Sequence, residues 1–368
     1  VSKRRLQDQL VKKKKTLKYH WLTTVNSQSL LSTLDHLDKA FSAFFRGSSK
    51  YPNFKSKRAS WQSFQNPQHV QADFESSMVK LPKIGRVKAV FHRTFEGRIK
   101  TCTVKKAPSG AFTLSMLIDD STQLPSKSIV EPELTLGIDV GIKTFAVCSD
   151  ETEFENPRFL NSVLVKLKQQ QRILSRKKKG SANRSKQVRH VAVLHERTAN
   201  ARNNYSHLIS HKLAVENQAT SLVVEDLNIK GLIRNRKLSR HIADVAWGSF
   251  LQQLAYKCDW YGKNLITIGR FVPSSKTCSN CGGYKSDLKL SDRMYECAEC
   301  KTVIDRDYNA AINIKNFGLK QELETFGANG TVKCSSKPIS TQLDGLAKGV
   351  SIYLHRSVEV PTKTALAV

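Results

Sequence analysis

Three acidic residues lie where short apolar runs end or begin. Asp139 follows the run LTLGI, Glu225 ends SLVVE, and Asp307 stands at the start of RDYNAAINI. Burying an ionised carboxylate is costly unless it binds a cation or pairs with a positive group. Carboxylates of this kind hold the two divalent ions that hydrolyse a phosphodiester. The three acids therefore predict a catalytic site that binds Mg²⁺ or Mn²⁺, because both ions prefer oxygen ligands.

Each acid has a competing interpretation. Asp226 and Asp305 are close neighbours that could do the same work, and the choice between Asp305 and Asp307 stays open. Acids beside strand ends are also often simply solvated. The hairpin GIDVG occurs in actin-like sugar kinases and chaperone ATPases as well, but the sequence shows no second glycine-rich phosphate loop.

The cysteines give the second chemical signal. Cys278 and Cys281 form one CxxC pair, Cys297 and Cys300 form another, and 15 residues separate them. Two such pairs can place four thiolates tetrahedrally around one structural zinc ion, which leaves no position for a catalytic water. Two disulfides or four free thiols are the alternatives. The remaining cysteines are expected to be core residues or free thiols: Cys102, Cys148, Cys258 and Cys334.

Charge indicates the partner. The 368 residues include 60 Lys and Arg against 31 Asp and Glu, a formal net charge of +29. Such an excess favours a polyanion, and nucleic acid above all, over a ribosomal or membrane-surface role. The candidate nucleic-acid-binding residues are Lys55, Lys57, Arg58, Arg176, Lys177, Lys178, Lys179, Arg184, Arg197 and Arg202.

Periodicity predicts an N-terminal part of mixed structure. Residues 1–24 are basic and helical, and Asn26 is expected to cap an amphipathic helix that ends at Arg46 and Gly47. Residues 50–64 mix basic and aromatic side chains, which could stack on bases or plug a core. Residues 78–118 alternate with period two, as in a small antiparallel β-unit. Residues 121–133 are predicted to form a linker.

The second part is predicted to be an α/β domain. A hairpin over 134–149 carries Asp139, and Gly137 and Gly141 permit close approach and a tight turn. Two long helices are predicted over 160–212, with thirteen Lys or Arg residues and one acid, Glu196. A buried strand (221–226), a basic loop, a helix (244–262) and a strand (264–273) follow. The pattern after Gly318 predicts no element.

The ordered motifs resemble one known family. GIDVGIKTFAV, LSRKKKGSANRSK, LHERTANAR, VVEDLNIKG, PSSKTCSNCG, YECAEC and DRDYNAAINI resemble the TnpB (OrfB) proteins of insertion sequences over roughly residues 1–318. The N-terminal segments NSQSLLSTLDHLDKAFSAFF and YPNFKSKR are also similar to that family. TnpB proteins are RNA-guided DNA nucleases related to type V CRISPR effectors.

This resemblance implies a domain plan. It predicts a recognition and wedge region (1–128) that lacks the short first strand usual in the family. It then predicts an RNase H-like, or RuvC-like, nuclease domain split between 129–272 and 304–320, with a zinc ribbon inserted at 273–303 and an unassigned tail at 321–368. Asp139, Glu225 and Asp307 take the nuclease positions, and Cys278, Cys281, Cys297 and Cys300 take the zinc positions.

The functional expectation is a Mg²⁺- or Mn²⁺-dependent endodeoxyribonuclease with a guide RNA and a double-stranded DNA target. The alternative is a catalytically silent regulator that binds RNA and DNA. We expect a cytoplasmic protein with no membrane association, and an RNA-bound monomer is favoured.

Overall fold

The computed structural model of the protein describes residues 3–56, 61–236, 238–289, 291–329 and 348–354. They form two compact units. One contains the described residues up to Thr122, with Val188–Val193 and 348–354; the other contains those of Gln123–Gln187 and of the chain from Leu194 to 329. The division after Thr122 falls within the predicted linker.

Both units contain helices and strands. The helices are α1 (Lys3–Lys14), α2 (Ser27–Phe45), α3 (Phe159–Arg176), α4 (Ala182–His211), α5 (Ile229–Leu232), α6 (Ser239–Val245), α7 (Trp247–Trp260) and α8 (Arg306–Asn329). A 3-10 helix covers Leu17–Thr24, and a π-helix, Lys212–Glu216, continues α4. The strands are β1 (Gln62–Asn66), β2 (Gln71–Asp73), β3 (Met78–Leu81), β4 (Gly85–Val90), β5 (Arg98–Lys106), β6 (Phe112–Asp119), β7 (Thr135–Val140), β8 (Thr144–Cys148), β9 (Glu153–Glu155), β10 (Ser221–Glu225), β11 (Asn264–Ile268), β12 (Met294–Glu296), β13 (Val303–Asp305) and β14 (Lys348–Leu354).

The first unit is built on an antiparallel sheet. Its described strands are ordered β1-β5-β6-β14-β4-β3-β2. The antiparallel unit predicted over 78–118 is confirmed as β3 to β6, whereas β1, β2 and β14 were not predicted. Alternate side chains of β3 to β6 enter one core, as the pleat requires: Val79, Leu81, Ala89, Cys102, Val104, Leu114, Met116 and Ile118.

Helix α2 confirms the predicted cap. The Asn26 side chain accepts the backbone N–H groups of Gln28 and Ser29 at 2.8 and 3.2 Å, so it satisfies two donors of the first turn. The fully buried residues of this helix are polar, although an amphipathic helix would be expected to bury its apolar side chains. Ser29 and Ser32 are buried, and Ser32 donates to the Gln65 side chain on β1 at 2.6 Å.

The second unit is built on a mixed sheet. Its described strands are ordered β11-β10-β7-β8-β9. Strands β7, β10 and β11 run parallel, while β7, β8 and β9 form an antiparallel meander. The predicted hairpin around Asp139 is confirmed, with Asp139 opposite Val147 in β8.

Helices cover both faces of this sheet. Leu222 and Val224 of β10 pack in a cluster with Leu213 of the π-helix and with Phe250 and Leu254 of α7. Val223 points to the opposite face. There it packs in a separate cluster with Ile266 and Ile268 of β11 and with Ile314 of α8. Because side chains alternate along a strand, odd-numbered positions of β10 face α8.

Three predicted boundaries differ from the structure. The helix predicted over 244–262 is divided into α6 and α7 by Ala246, whose φ of 58° is left-handed. The strand predicted over 264–273 ends at Ile268. The basic loop after Glu225 contains α5 and the start of α6. Local pattern does not reveal these breaks, because tertiary contacts set element ends.

The segment between β11 and α8 forms a small ribbon. Strands β12 and β13 pair in antiparallel fashion, with Tyr295 opposite Ile304. Tyr295, fully buried, packs against Cys278 and Cys297. Its hydroxyl donates to the carbonyls of Lys276 and Gly283 at 3.2 Å. The ribbon core is this small cluster, which is typical of a module that depends on metal.

Candidate active site and metal centre

Asp139 and Glu225 lie near the ends of neighbouring parallel strands. In the register, Leu222 is opposite Leu136 and Val223 is opposite Gly137. Two residues further along each strand come Glu225 and Asp139, on the same face as Val223 and Gly137. Adjacent strands are about 4.8 Å apart, so the two carboxylates leave the sheet side by side toward α8.

Helix α8 supplies the third acid, and Gly137 lets it approach. A Cβ atom on Gly137 would lie 2.1 Å from the carbonyl oxygen of Ala311 and 2.6 Å from the amide nitrogen of Lys315. Gly318 plays the same part against Val223. Glycines at these positions thus let the helix lie directly on β7 and β10. Asp307 is in the first turn of this helix.

The three acids share one electrostatic environment. Burial is the largest cause of the raised pKa of Asp139, which reaches about 8. Repulsion by the carboxylates of Glu225 and Asp307 raises this pKa further, and Arg306 opposes them. Burial also raises the pKa of Glu225, against the hydrogen bond from Ser274. Mutual repulsion of this kind is what a divalent cation would relieve.

Asp305 and Asp307 have different surroundings. The exposed Asp305 caps α8, because its Oδ1 accepts the N–H groups of Asp307 and Tyr308 at 2.8 and 3.1 Å. Asp307 pairs with Arg306 at 3.0 Å and with Arg293 of the ribbon at 3.6 Å. The neighbour of Glu225, Asp226, is exposed and pairs with Arg270 at 2.8 Å.

Three polar residues at this site were not singled out from the sequence. Ser274 donates to Glu225 at 2.5 Å, and Arg293 and Arg306 contact Asp307. Arg306 could have been suspected from its place beside Asp307. Ser274 and Arg293 carry no such signal, because Ser274 lies 49 residues from Glu225 and Arg293 lies in the ribbon, before β12.

The four predicted zinc ligands come together. The sulfur atoms of Cys278, Cys281, Cys297 and Cys300 all lie within 4.8 Å of one another. The pairs Cys278–Cys300 and Cys281–Cys297 are 3.6 and 3.5 Å apart. A tetrahedral zinc with Zn–S bonds of about 2.3 Å would place its sulfurs about 3.8 Å apart, so the donors fit zinc. Hydrogen bonds from Thr302 lower the pKa of Cys300 to about 5. At Cys281 the backbone of Gly283 lowers the pKa, but hydrogen bonds with the other three sulfurs outweigh it and raise the pKa to about 12, so within this cluster the thiolate is favoured at Cys300.

The other cysteines behave as core residues. Cys102, Cys148 and Cys258 are buried and free. Burial raises the pKa of Cys102 and Cys258 to about 12, which makes these thiols unreactive. Cys334 lies outside the described residues.

The candidate nucleic-acid-binding cations fall into three groups. Lys55, Arg176, Lys178, Lys179 and Arg197 are exposed, and Lys177 is half-buried. Two others make intramolecular contacts: Arg184 donates to the carbonyl of Leu174 at 2.7 Å, and Arg202 pairs with the buried carboxylate of Asp244 at 2.6 Å. Lys57 and Arg58 lie outside the described residues.

The aromatic residues of 50–64, which could stack on bases or plug a core, also differ in whether they contact other residues of the chain. Tyr51 packs edge-on against Phe41 and Phe44, and Trp61 lies under the ammonium of Lys105 at 4.4 Å. Phe54 is fully exposed. None of the helices in the described part of the chain combines the length and apolar character of a membrane span.

Two protein families match this chain. Residues 116–236 match a family described as "Probable transposase" (OrfB of IS605), and residues 247–314 match the "Cas12f1-like, TNB domain". The second match contains the ribbon and the start of α8, and the first contains β7 and β10.

Individual relatives extend over most of the chain. A Streptomyces pristinaespiralis protein named "Putative RNA-guided DNA endonuclease" is 37% identical over 312 residues, covering 83% of this chain and 75% of the relative. InsQ of Escherichia coli, with the same description, is 31% identical over 83% of this chain and 78% of its own length. A solved Cas12f1–sgRNA–target DNA complex matches at 18% identity and a TM-score of 0.49, over 79% of this chain and 70% of that one. The chain belongs to the TnpB (OrfB) family of insertion-sequence proteins.

Proposed function

We propose that the protein is an RNA-guided endonuclease of a mobile element that cuts DNA with divalent ions bound by Asp139, Glu225 and Asp307. The observation that carries the proposal is geometric: the neighbouring strands β7 and β10 place Asp139 and Glu225 side by side, and the close approach of α8 to Gly137 brings the helix that starts with Asp307 onto them. Burial, and then the carboxylates of Glu225 and Asp307, raise the pKa of Asp139. A structural site would pair each buried carboxylate with a cation. Asp307 pairs with Arg306 and Arg293, but the described residues form no ion pair with Asp139 or Glu225, which leaves these two carboxylates suited to divalent cations.

The sheet of the second unit supports an RNase H-like nuclease fold. A three-stranded antiparallel meander, β7-β8-β9, is followed by two strands parallel to the first, β10 and β11. This is the strand arrangement of RNase H-like nucleases. In an α/β sheet, a site at the carboxyl ends of parallel strands is the usual position for catalysis.

The donor set suits Mg²⁺ or Mn²⁺. All three side chains offer carboxylate oxygens, the ligands that these hard ions prefer. When bound, two such ions activate the attacking water and stabilise the leaving oxygen. The chain's own residues orient this set: Ser274 fixes one oxygen of Glu225, and Arg306 and Arg293 engage Asp307. The four cysteines would bind zinc in a structural role, because four thiolates complete its coordination.

The expected partners are a guide RNA and double-stranded DNA. Relatives that share most of this chain's length are named as RNA-guided DNA endonucleases. The net charge of +29 is suited to two nucleic acids. The exposed cations at the turn between α3 and α4 offer one phosphate-binding surface.

Guide-dependent cleavage tests the proposal. The protein is expressed with RNA transcribed from the end of its own element, and the complex is given matched and unmatched DNA with Mg²⁺. We expect cutting of matched DNA alone, and a loss of at least about 100-fold in Glu225→Gln with RNA binding retained. Binding of matched DNA without cleavage by the unmodified chain would instead favour the catalytically silent regulator.

A further inference from the structure

Ser274 has a role that follows from its contacts and not from the sequence motifs. We propose that Ser274 is a positioning residue, which holds Glu225 in the orientation that binds a divalent ion. The proposal rests on the function proposed above. If so, the segment that leads into the zinc ribbon helps to orient a ligand of the candidate catalytic site.

The contact itself is direct. Ser274 is 7% exposed, and its hydroxyl donates to Oε1 of Glu225 at 2.5 Å. A hydroxyl bound to a carboxylate fixes the rotamer and favours the ionised form. In agreement, the hydrogen bond from Ser274 lowers the pKa of Glu225, against the larger effect of burial. The described residues make no hydrogen bond to the second carboxylate oxygen, Oε2, so the Ser274 contact leaves that oxygen for an ion.

The backbone of Ser274 is itself clamped by α8. The side-chain amide of Asn313 donates to the carbonyls of Ser274 and Thr277 at 2.7 and 2.6 Å. One turn earlier, Asn309 donates to the carbonyl of Thr277 at 2.8 Å and accepts the N–H of Ser279 at 2.9 Å. Both asparagines are at most 3% exposed, so these bonds are shielded from competing water.

The clamp connects both candidate metal-binding sites. Its contacts to Thr277 and Ser279 flank Cys278, the first cysteine of the ribbon. The helix that carries Asp307 at its start thus fixes both the entry to the four-cysteine site and the hydroxyl bound to Glu225. Partners of metal ligands typically contribute roughly 10- to 100-fold to metal affinity. We expect the same of Ser274.

A Mn²⁺ titration of the full-length chain, in which electron paramagnetic resonance measures the unbound ion, tests this without relying on activity. The Glu225→Gln variant shows which Mn²⁺ site lies at the three acids, because only that site should bind Mn²⁺ more weakly in this variant. We expect Ser274→Ala to weaken this same site roughly 10- to 100-fold. Ser274→Thr, which keeps the hydroxyl, should restore the affinity to within a few-fold. The neighbouring Ser275→Ala serves as the matched control and should bind like the unmodified chain.

Two results would overturn the inference alone. If Ser274→Ala binds Mn²⁺ as tightly as the unmodified chain, or more tightly, while Glu225→Gln weakens binding, the hydroxyl does not position the ligand. A Ser274→Thr variant as weak as Ser274→Ala would attribute the effect to packing. If Glu225→Gln leaves every Mn²⁺ affinity unchanged, the proposed function fails together with the inference.

Discussion

At the scale of the residue, the two acids at the start of α8 make different contacts, which indicate different roles. Asp305 is exposed and caps the helix through Oδ1. Asp307 lies two residues further into the helix and contacts Arg306 and Arg293. Both acids raise the pKa of Asp139, Asp307 more than Asp305, although burial has the largest effect. These contacts support the assignment of Asp307 as the third ligand and of Asp305 as a cap.

Replacing each acid with its amide separates these roles. Asp305→Asn keeps the capping oxygen, and Asn caps about as well as Asp, so stability and DNA cleavage should change little. Asp307→Asn removes a charge from the proposed ion site, and cleavage should fall at least about 100-fold. Both are measured on guide-matched DNA. Activity retained in Asp307→Asn and lost in Asp305→Asn would show that the other acid is the ligand.

The sequence predicts the role of a residue where a local pattern marks that residue. An acid that ends an apolar run, such as Glu225, is visible in the sequence, and so are the paired CxxC cysteines. Ser274 could not be predicted as a partner of Glu225, because 49 residues separate them. Arg184 and Arg202 look like phosphate ligands in sequence, yet both contact groups within the chain. Composition alone does not distinguish these uses of arginine.

At the scale of the element, the contact of β7 with α8 brings the acids together. Gly137 lies in the strand that carries Asp139, two residues before it, and faces the backbone of Ala311 and Lys315. Any side chain at this position would push α8 away from the sheet. Asp307 would then move away from Asp139 and Glu225.

Gly137→Ala tests this packing. The added Cβ would lie 2.1 Å from a carbonyl oxygen, which cannot turn aside as a side chain can. We expect a loss of about 3 kcal/mol in the free energy of unfolding, measured with urea, and reduced cleavage. Gly248→Ala in α7 is the control: its nearest atom is 3.4 Å away, so stability should hold or improve. Unchanged stability and activity in Gly137→Ala would contradict the close approach.

The periodicity of the sequence predicts most helices and strands of both units, but it does not predict which strands pair with each other. The alternation over 78–118 predicts β3 to β6, and the apolar runs predict β7 and β10. Strand β14 pairs with β6 and β4 from more than 200 residues further along the chain, which no local pattern reveals. The break at Ala246 is similarly invisible, because a left-handed alanine is imposed by its surroundings.

At the scale of the whole molecule, the excess of positive charge is distributed between paired and unpaired groups. Lys3, Lys100 and Lys127 pair with Asp35, Asp119 and Asp259 at 2.6 to 2.8 Å. The turn between α3 and α4 carries Lys177, Lys178 and Lys179, and none of the ion pairs found among the described residues includes them. Arg184 holds this turn through the carbonyls of Leu174 and Lys177.

Two triple variants with the same loss of charge test the role of this turn. Replacing residues 177–179 with Ala should weaken RNA binding and make the slope of log affinity against log salt less steep. Each lost phosphate contact changes this slope by about 0.7, so the loss of three contacts should change it by about 2. Replacing Lys3, Lys100 and Lys127 with Ala should change the slope less, because these charges already have partners. A slope for the 177–179 variant that equals the slope of the unmodified chain would show that the turn merely faces solvent.

The position of bound divalent ions tests the central claim most directly. Crystals of the protein soaked in Mn²⁺ would be measured at the manganese absorption edge, where anomalous scattering identifies the ion. We predict anomalous density between the carboxylates of Asp139, Glu225 and Asp307, and its loss in Glu225→Gln. Manganese bound elsewhere in the second unit, with these three carboxylates free of it, would contradict the account.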